Sequence, residues 1–188
     1  SPLDPKILWV GTDDGNVQLT TDGGTTWTEL SAGIKGVKDG TFVSKIVASG
    51  ASRGTAYVSF DAHRDGGFAP YIFRTTDFGK TWTPVVTGLP ADDASVRSLA
   101  EYPTKSNVLF AGTERALFVT HDSGAYWIKL AANLPTTRYD DIVIQPRTKD
   151  LVLGTHWRGI WILDDASPIA ECTPAIAEER AHLFAVPR

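Results

Sequence analysis

Apolar residues in this chain come in short runs separated by turn-forming clusters, and the runs fall into four sets that recur in order. One set reads Ile7 to Thr12 (ILWVGT), Thr55 to Asp61 (TAYVSFD), Val108 to Thr113 (VLFAGT) and Leu151 to Thr155 (LVLGT). A second follows each of these: NVQLTTD, YIFRTTD, ALFVTHD and GIWILDD. A third opens on tryptophan (WTEL, WTPVV, WIKL), and a fourth, Phe42 to Ala48, Val96 to Ala100 and Asp141 to Ile144, precedes the next unit. The runs are short, rich in β-branched and aromatic residues, and bounded by Gly, Asp and Asn, so each predicts a strand. Helical spacing is visible only in the mixed stretch Pro174 to Leu183.

Between the second and third runs lies a fixed motif. Thr20-x-Asp22-x-Gly24-x-x-Trp27 recurs as Thr75-x-Asp77-x-Gly79-x-x-Trp82 and as Thr120-x-Asp122-x-Gly124-x-x-Trp127, with aspartates 55 and 45 residues apart. Repeats of this length are supersecondary units that cannot bury their own faces alone and must stack. The unit predicted is a four-stranded antiparallel meander, and the fold class is all-β, a β-propeller fragment of about four blades over residues 1–169. Counting strands gives fourteen, with an incomplete first and last blade, followed by a C-terminal extension over 170–188 in which His182 to Val186 (HLFAV) could supply a closing strand.

In each motif the aspartate sits in a tight turn, where a short carboxylate accepts backbone N–H groups, the threonine hydroxyl joins in, and glycine tolerates positive φ. The tryptophan then starts the outer strand and can fold its ring between sheets. Full burial of one indole is worth at most about 4 to 6 kcal/mol. Three copies in three blades make Thr20, Asp22, Gly24, Trp27, Thr75, Asp77, Gly79, Trp82, Thr120, Asp122, Gly124 and Trp127 scaffold residues. A fourth, degraded motif places Ile162, Ala166 and Ile169 where Thr, Gly and Trp would stand.

These motifs resemble the Asp-box, or BNR, repeat of sialidases, xyloglucan-cleaving glycosidases, sortilin-type receptor ectodomains and photosystem assembly factors. The stretches ILWVGTDDGNVQLTTDGGTTW, FDAHRDGGFAPYIFRTTDFGKTW and LVLGTHWRGIWILDD look most like a bacterial sortilin-like branch often labelled glycosyl hydrolase, and the likeness runs to Asp165. Trp157 departs from the glycine expected in a THGRG run. The resemblance implies a propeller whose ligands approach the rim opposite the Asp-boxes, in an extracellular or periplasmic setting.

That rim would be lined by the loops between the first and second runs: Asp13, Asp14, then His63, Arg64 and Asp65, then Glu114 and Arg115, then His156 and Arg158. Asp13 or Asp14 with Asp65 or Glu114 could form an acid and base pair for glycoside cleavage. The plain alternative is that they are solvated turns. His63 and Asp65 lack a second histidine at a metal-binding spacing, so neither metal nor cofactor is expected. His121 reads as a surface partner of its turn and Cys172 as an unreactive loop thiol.

The function expected is a non-enzymatic ligand- or protein-binding propeller module, with a glycoside hydrolase using paired carboxylates as the alternative. An assembly factor for a membrane complex rests on the same repeat. Sialidase activity is disfavoured because the Arg-Ile-Pro run that announces its arginine cluster is missing.

Composition narrows the partners. A net charge of −4 with scattered basic residues disfavours nucleic acid, and no apolar run approaches the roughly 20 residues that span a bilayer. The chain has no methionine, even at position 1, and reads as a piece of a longer polypeptide. Its expected partners are the remaining blades of that parent or a second copy, with a peptide, protein or glycan as ligand.

Overall fold

The computed structural model describes residues 1–131 and 133–185. Among the described residues fourteen strands form four antiparallel sheets, each a meander in chain order. Blade I holds β1 (Leu8–Gly11), β2 (Val17–Thr20) and β3 (Thr28–Glu29). Blade II holds β4 (Phe42–Ala48), β5 (Ala56–Asp61), β6 (Tyr71–Thr75) and β7 (Thr83–Pro84). Blade III holds β8 (Val96–Tyr102), β9 (Lys105–Thr113), β10 (Leu117–Thr120) and β11 (Ile128–Lys129). Blade IV holds β12 (Tyr139–Ile144), β13 (Leu151–Thr155) and β14 (Ile160–Leu163). Blade I thus lacks an innermost strand and blade IV an outermost one, as the run order predicts.

Alternation of side chains across each strand gives every blade two apolar faces, and three buried clusters fill the junctions between blades. The innermost strands β4, β8 and β12 lie side by side. Ser44 Oγ donates to the Val96 carbonyl at 2.7 Å and Ser98 Oγ to the Tyr139 carbonyl at 2.9 Å, stitching blade II to III and III to IV. Lys45 reaches past blade III to pair with Asp141 of blade IV at 3.0 Å, so these strands converge on a common axis.

Glycine near the end of the second strand is a packing requirement. A Cβ on Gly11 would lie 2.9 Å from Val43 Cβ, and one on Gly112 would lie 2.8 Å from both Tyr139 Cβ and its carbonyl oxygen. At these two positions the next blade's innermost strand leaves no room for a side chain, whereas blade II holds buried Ser59 at the same register, its hydroxyl 2.9 Å from Ser44 Oγ. On Gly154, which faces no further blade, the nearest atom would be Asp141 Cβ at 3.7 Å. Each innermost strand also carries a bulge at an equivalent position, where register shifts between Val43 and Lys45, between Val96 and Ser98, and between Tyr139 and Asp141; β8 shifts again between Glu101 and Tyr102. Ser44, Arg97 and Asp140 are the extra residues.

The repeated turns form the predicted network. Thr75 Oγ1 donates to Asp77 Oδ1 at 2.8 Å and accepts the Gly79 N–H at 2.9 Å, while Asp77 accepts the Thr81 N–H at 2.9 Å. Turns at Asp22 and Asp122 repeat these bonds. All three carboxyls lie below the usual range: Asp77 and Asp22 chiefly through the backbone N–H of Thr81 and Thr26, Asp122 because its hydrogen bonds from Thr120 and Tyr126 outweigh the opposing effect of burial.

The three tryptophans differ. Trp127 is 1% exposed in the blade II–III junction, Trp82 is partly buried in the I–II junction against the Trp9 ring edge (centroids 6.2 Å apart), and Trp27 is 43% exposed. Each indole turns toward the preceding blade, and Trp27 has none, so uniform burial does not hold. Leu8 and Val10 are exposed on that same face, and Val143 and Ile162 on the opposite face of blade IV.

Three further expectations are corrected. Strand register pairs Leu163 with Leu151 as Thr120 pairs with Leu109, so the fourth motif has Leu163, Asp165 and Ala170 at the Thr, Asp and Trp positions, one residue later than the sequence reading. The Ala166 N–H donates to the Lys149 carbonyl just as Ser123 does to Asn107. After Asp165 the chain forms helices α1 (Ser167–Glu171) and α2 (Pro174–Ala177), so helix covers only the start of the Pro174 to Leu183 stretch. His182 to Ala185 forms no strand, and Val186 lies outside the described residues.

Candidate functional site

The rim opposite the repeated Thr-x-Asp-x-Gly turns is built by two kinds of segment: the loops after β1, β5, β9 and β13, and the connections leading into β4, β8 and β12. Their polar side chains gather in three groups.

At the blade I–II boundary a cavity of about 290 Å³ is lined by Asp14, Asn16, Glu29, Lys38, Asp39 and Phe60, among others. Asp14 is used in its own turn, accepting from Thr12 Oγ1 and from Asn16 Nδ2 at 2.9 Å, and the Thr12 hydroxyl is the main cause of its lowered pKa. Asp13 is exposed. Asp65 pairs with Lys38 at 3.2 Å, and the Arg64 guanidinium lies over the Phe42 ring, 5.1 Å from its centroid.

The second group centres on Asp61, whose carboxylate is fully buried. It accepts from Ser95 Oγ, Arg97 and the His63 backbone N–H, and its Oδ2 lies 2.5 Å from His63 Nδ1. Burial opposes ionisation, yet these donors together hold the carboxyl below its usual value. Arg97, the bulge residue of β8, turns its other edge to Glu114. His63 and Glu114 are therefore joined through Arg97 and Asp61. Arg115 pairs with Asp93 at 2.9 Å.

The third group lies on blade IV. Arg138 bonds His156 Nδ1 at 2.7 Å and Asp140 at 2.6 Å, and the Asp140 Oδ2 is 3.3 Å from the same imidazole nitrogen. Beside it Trp157 stands 89% exposed, edge-on to His156 with centroids 5.2 Å apart, at φ 65°. That left-handed backbone explains why glycine is expected there; an indole occupies it at a cost of about 1 kcal/mol. Arg158 is exposed next to it.

The anticipated residues are therefore not brought to one place: Asp14 is held in its own turn, Asp65 pairs with Lys38, His63 and Glu114 are joined around Asp61 and Arg97, Arg115 pairs with Asp93, His156 bonds Arg138, and Asp13 and Arg158 are exposed. Asp61, Ser95, Asp93, Arg97, Lys38, Arg138 and Asp140 were not anticipated. Their signal was available, since the connection into each innermost strand must land on the same rim as the loop after the second strand. Among the described residues, no three His, Cys, Asp or Glu side chains come together as a metal-binding set.

No protein-family model matches the chain. It is 28% identical over 131 residues to a probable oligoxyloglucan-reducing end-specific xyloglucanase of Neosartorya fischeri, a match covering 70% of this chain and 15% of that protein. The GH74 xyloglucanase of Xanthomonas campestris superposes with a TM-score of 0.65 at 19% identity over 90% of this chain and 27% of that one. A structure described as YCF48 bound to D1 peptide gives 0.56 at 20% identity, over 80% and 45%. The structural likenesses establish the fold: the chain is a set of β-propeller blades.

Proposed function

We propose that these blades belong to an Asp-box propeller of the glycoside-hydrolase type, and that they supply part of its glycan-binding rim. The observation that carries this reading is the 131-residue match to a xyloglucanase, which favours the glycosidase alternative over a non-enzymatic sortilin-like module. The substrate class is a β-linked polysaccharide of the xyloglucan kind. On blade IV, Trp157 offers an apolar ring on which the face of a sugar can pack, flanked by the hydrogen-bonding groups of Arg138, Asp140 and His156.

The reading assigns recognition, not bond cleavage, to this portion. Asp14, Asp65 and Glu114 are each committed to a turn or an ion pair, which leaves exposed Asp13 without a free carboxylate partner among these four, so the acid and base pair is assigned to other blades. It places the protein outside the cytoplasm, where such polymers are met, and no helix among the described residues is long and apolar enough to cross a membrane.

Calorimetric titration of xyloglucan oligosaccharides into the protein tests this. Binding that disappears in Trp157→Ala with an unchanged melting temperature is expected. Failure of the wild-type protein to bind any β-glucan oligosaccharide would refute it.

A further inference from the structure

The blade III–IV junction contains a cavity of about 460 Å³ lined by Leu130, Leu134, Leu151, Leu153, Trp161 and Ile169. Its counterpart between blades II and III is filled. By strand register Leu151, Leu153 and Trp161 match Leu109, Ala111 and Phe118, and Leu130 and Leu134 match Val85 and Leu89. Those five counterparts all pack in the cluster that contains Trp127. The cavity is therefore the seat of a motif tryptophan that blade IV lacks, Ala170 standing at that position. About 150 Å³ suffices for a benzene ring, so an indole fits.

The outer edge of the same blade is open. β14 pairs with β13 and ends its sheet, whereas β6 and β10 each carry a fourth strand beyond them. The chain cannot supply that strand directly after β14, because α1 carries it sideways onto blade III. Ser167 Oγ meets Tyr102 Oη at 3.2 Å, and the Ile169 carbonyl lies 2.7 Å from His121 Nε2.

We propose that this junction receives an extended segment led by tryptophan, supplied from outside residues 1–188, as the fourth strand of blade IV. The occupant has the chemistry of the chain's own outer strands, Trp27–Leu30, Trp82–Val85 and Trp127–Leu130. Its indole fills the cavity and its backbone pairs with β14. The Leu130 carbonyl takes the place of the Val85 carbonyl, which accepts the Trp127 indole N–H at 2.8 Å. The tail is a poor alternative: Leu183 is 92% exposed and Phe184 stacks on His182 with centroids 4.6 Å apart.

The test titrates a synthetic peptide of sequence KTWTPVVT, copied from Lys80–Thr87, and its Trp→Ala counterpart onto the 188-residue chain up to millimolar concentration. The tryptophan peptide should raise the melting temperature saturably and slow amide exchange at Ile160–Leu163 by about tenfold. The alanine peptide should do neither. An Ile169→Trp variant, which fills the cavity from within, should abolish the response while melting no lower than the parent. Equal effects of the two peptides, or none from either, would overturn the proposal. So would protection of β14 without peptide, whether it grows with protein concentration, which marks a second copy, or vanishes on truncation after Ala177, which marks the tail.

Discussion

The indole N–H of Trp127 donates to the backbone carbonyl of Val85, one blade earlier, at 2.8 Å, and the backbone N–H of Trp127 bonds to Thr87 at 2.8 Å. Ring and backbone of one residue thus fasten blade III to blade II. Trp127→Ala removes a fully buried indole and leaves a polar carbonyl facing a void, so it should destabilise the chain by about 3–5 kcal/mol. Trp27→Ala, at a face with no neighbour, should cost under about 1 kcal/mol. Urea denaturation of the two variants side by side decides this, and equal losses would contradict it.

The second-strand glycines give a matched pair. Gly112→Ala forces a methyl into Tyr139 and should cost about 1–3 kcal/mol. Gly154→Ala, whose new methyl meets nothing closer than 3.7 Å, should leave the melting midpoint nearly unchanged. A large loss in Gly154→Ala would show that this strand is tighter than described.

Asp61 holds Arg97, Ser95 and His63 together out of solvent. Asp61→Asn leaves the Arg97 guanidinium short of its buried counter-charge and should destabilise by about 3 kcal/mol. Lys38→Ala breaks only the exposed pair with Asp65 and should cost less than about 1 kcal/mol. Chemical denaturation of both checks the contrast.

Acid should loosen the blades through Asp22, Asp61, Asp77 and Asp122, whose folded-state carboxyls all titrate below their normal values. Stability from a lowered carboxyl is complete above the unfolded value of about 4 and is lost as pH falls through the lower folded value. The melting temperature should therefore be flat near neutrality and drop below about pH 4. Asp77→Asn should lessen that drop. A variant melting curve parallel to wild type across the acid range would exclude Asp77 as a contributor.

Trp157 separates stability from recognition. Trp157→Gly relieves the left-handed backbone and should stabilise by about 1 kcal/mol, while glycan binding is lost. Differential scanning calorimetry with and without xyloglucan oligosaccharide reads both, and retained binding would remove Trp157 from the rim's function.

Blade number, strand order and the incomplete ends were legible in the sequence because a turn motif of four invariant positions marks three of the four units, and the runs between motifs alternate as strands do. Trp27 shows where that stops: its motif matches that of Trp127 at all four fixed positions, but burial depends on a neighbouring blade, not on the motif. The fourth motif slipped by one residue because nothing but pairing with β13 sets its register. On the rim, Asp61 and Arg97 are 36 residues apart and meet only because blades II and III pack together. No local spacing announces that contact, and so the loops were foreseen while the groups that neutralise them were not.

The bulge shared by β4, β8 and β12 has a wider meaning. At one height in three blades the backbone steps out of its ladder and offers a position with no partner in the strand register: Ser44 in one, Arg97 in the next, Asp140 in the third. Hydroxyl, cation and anion occupy the same socket with the strands around it unchanged. Such an architecture lets the chemistry of the mouth differ from blade to blade over one repeated backbone.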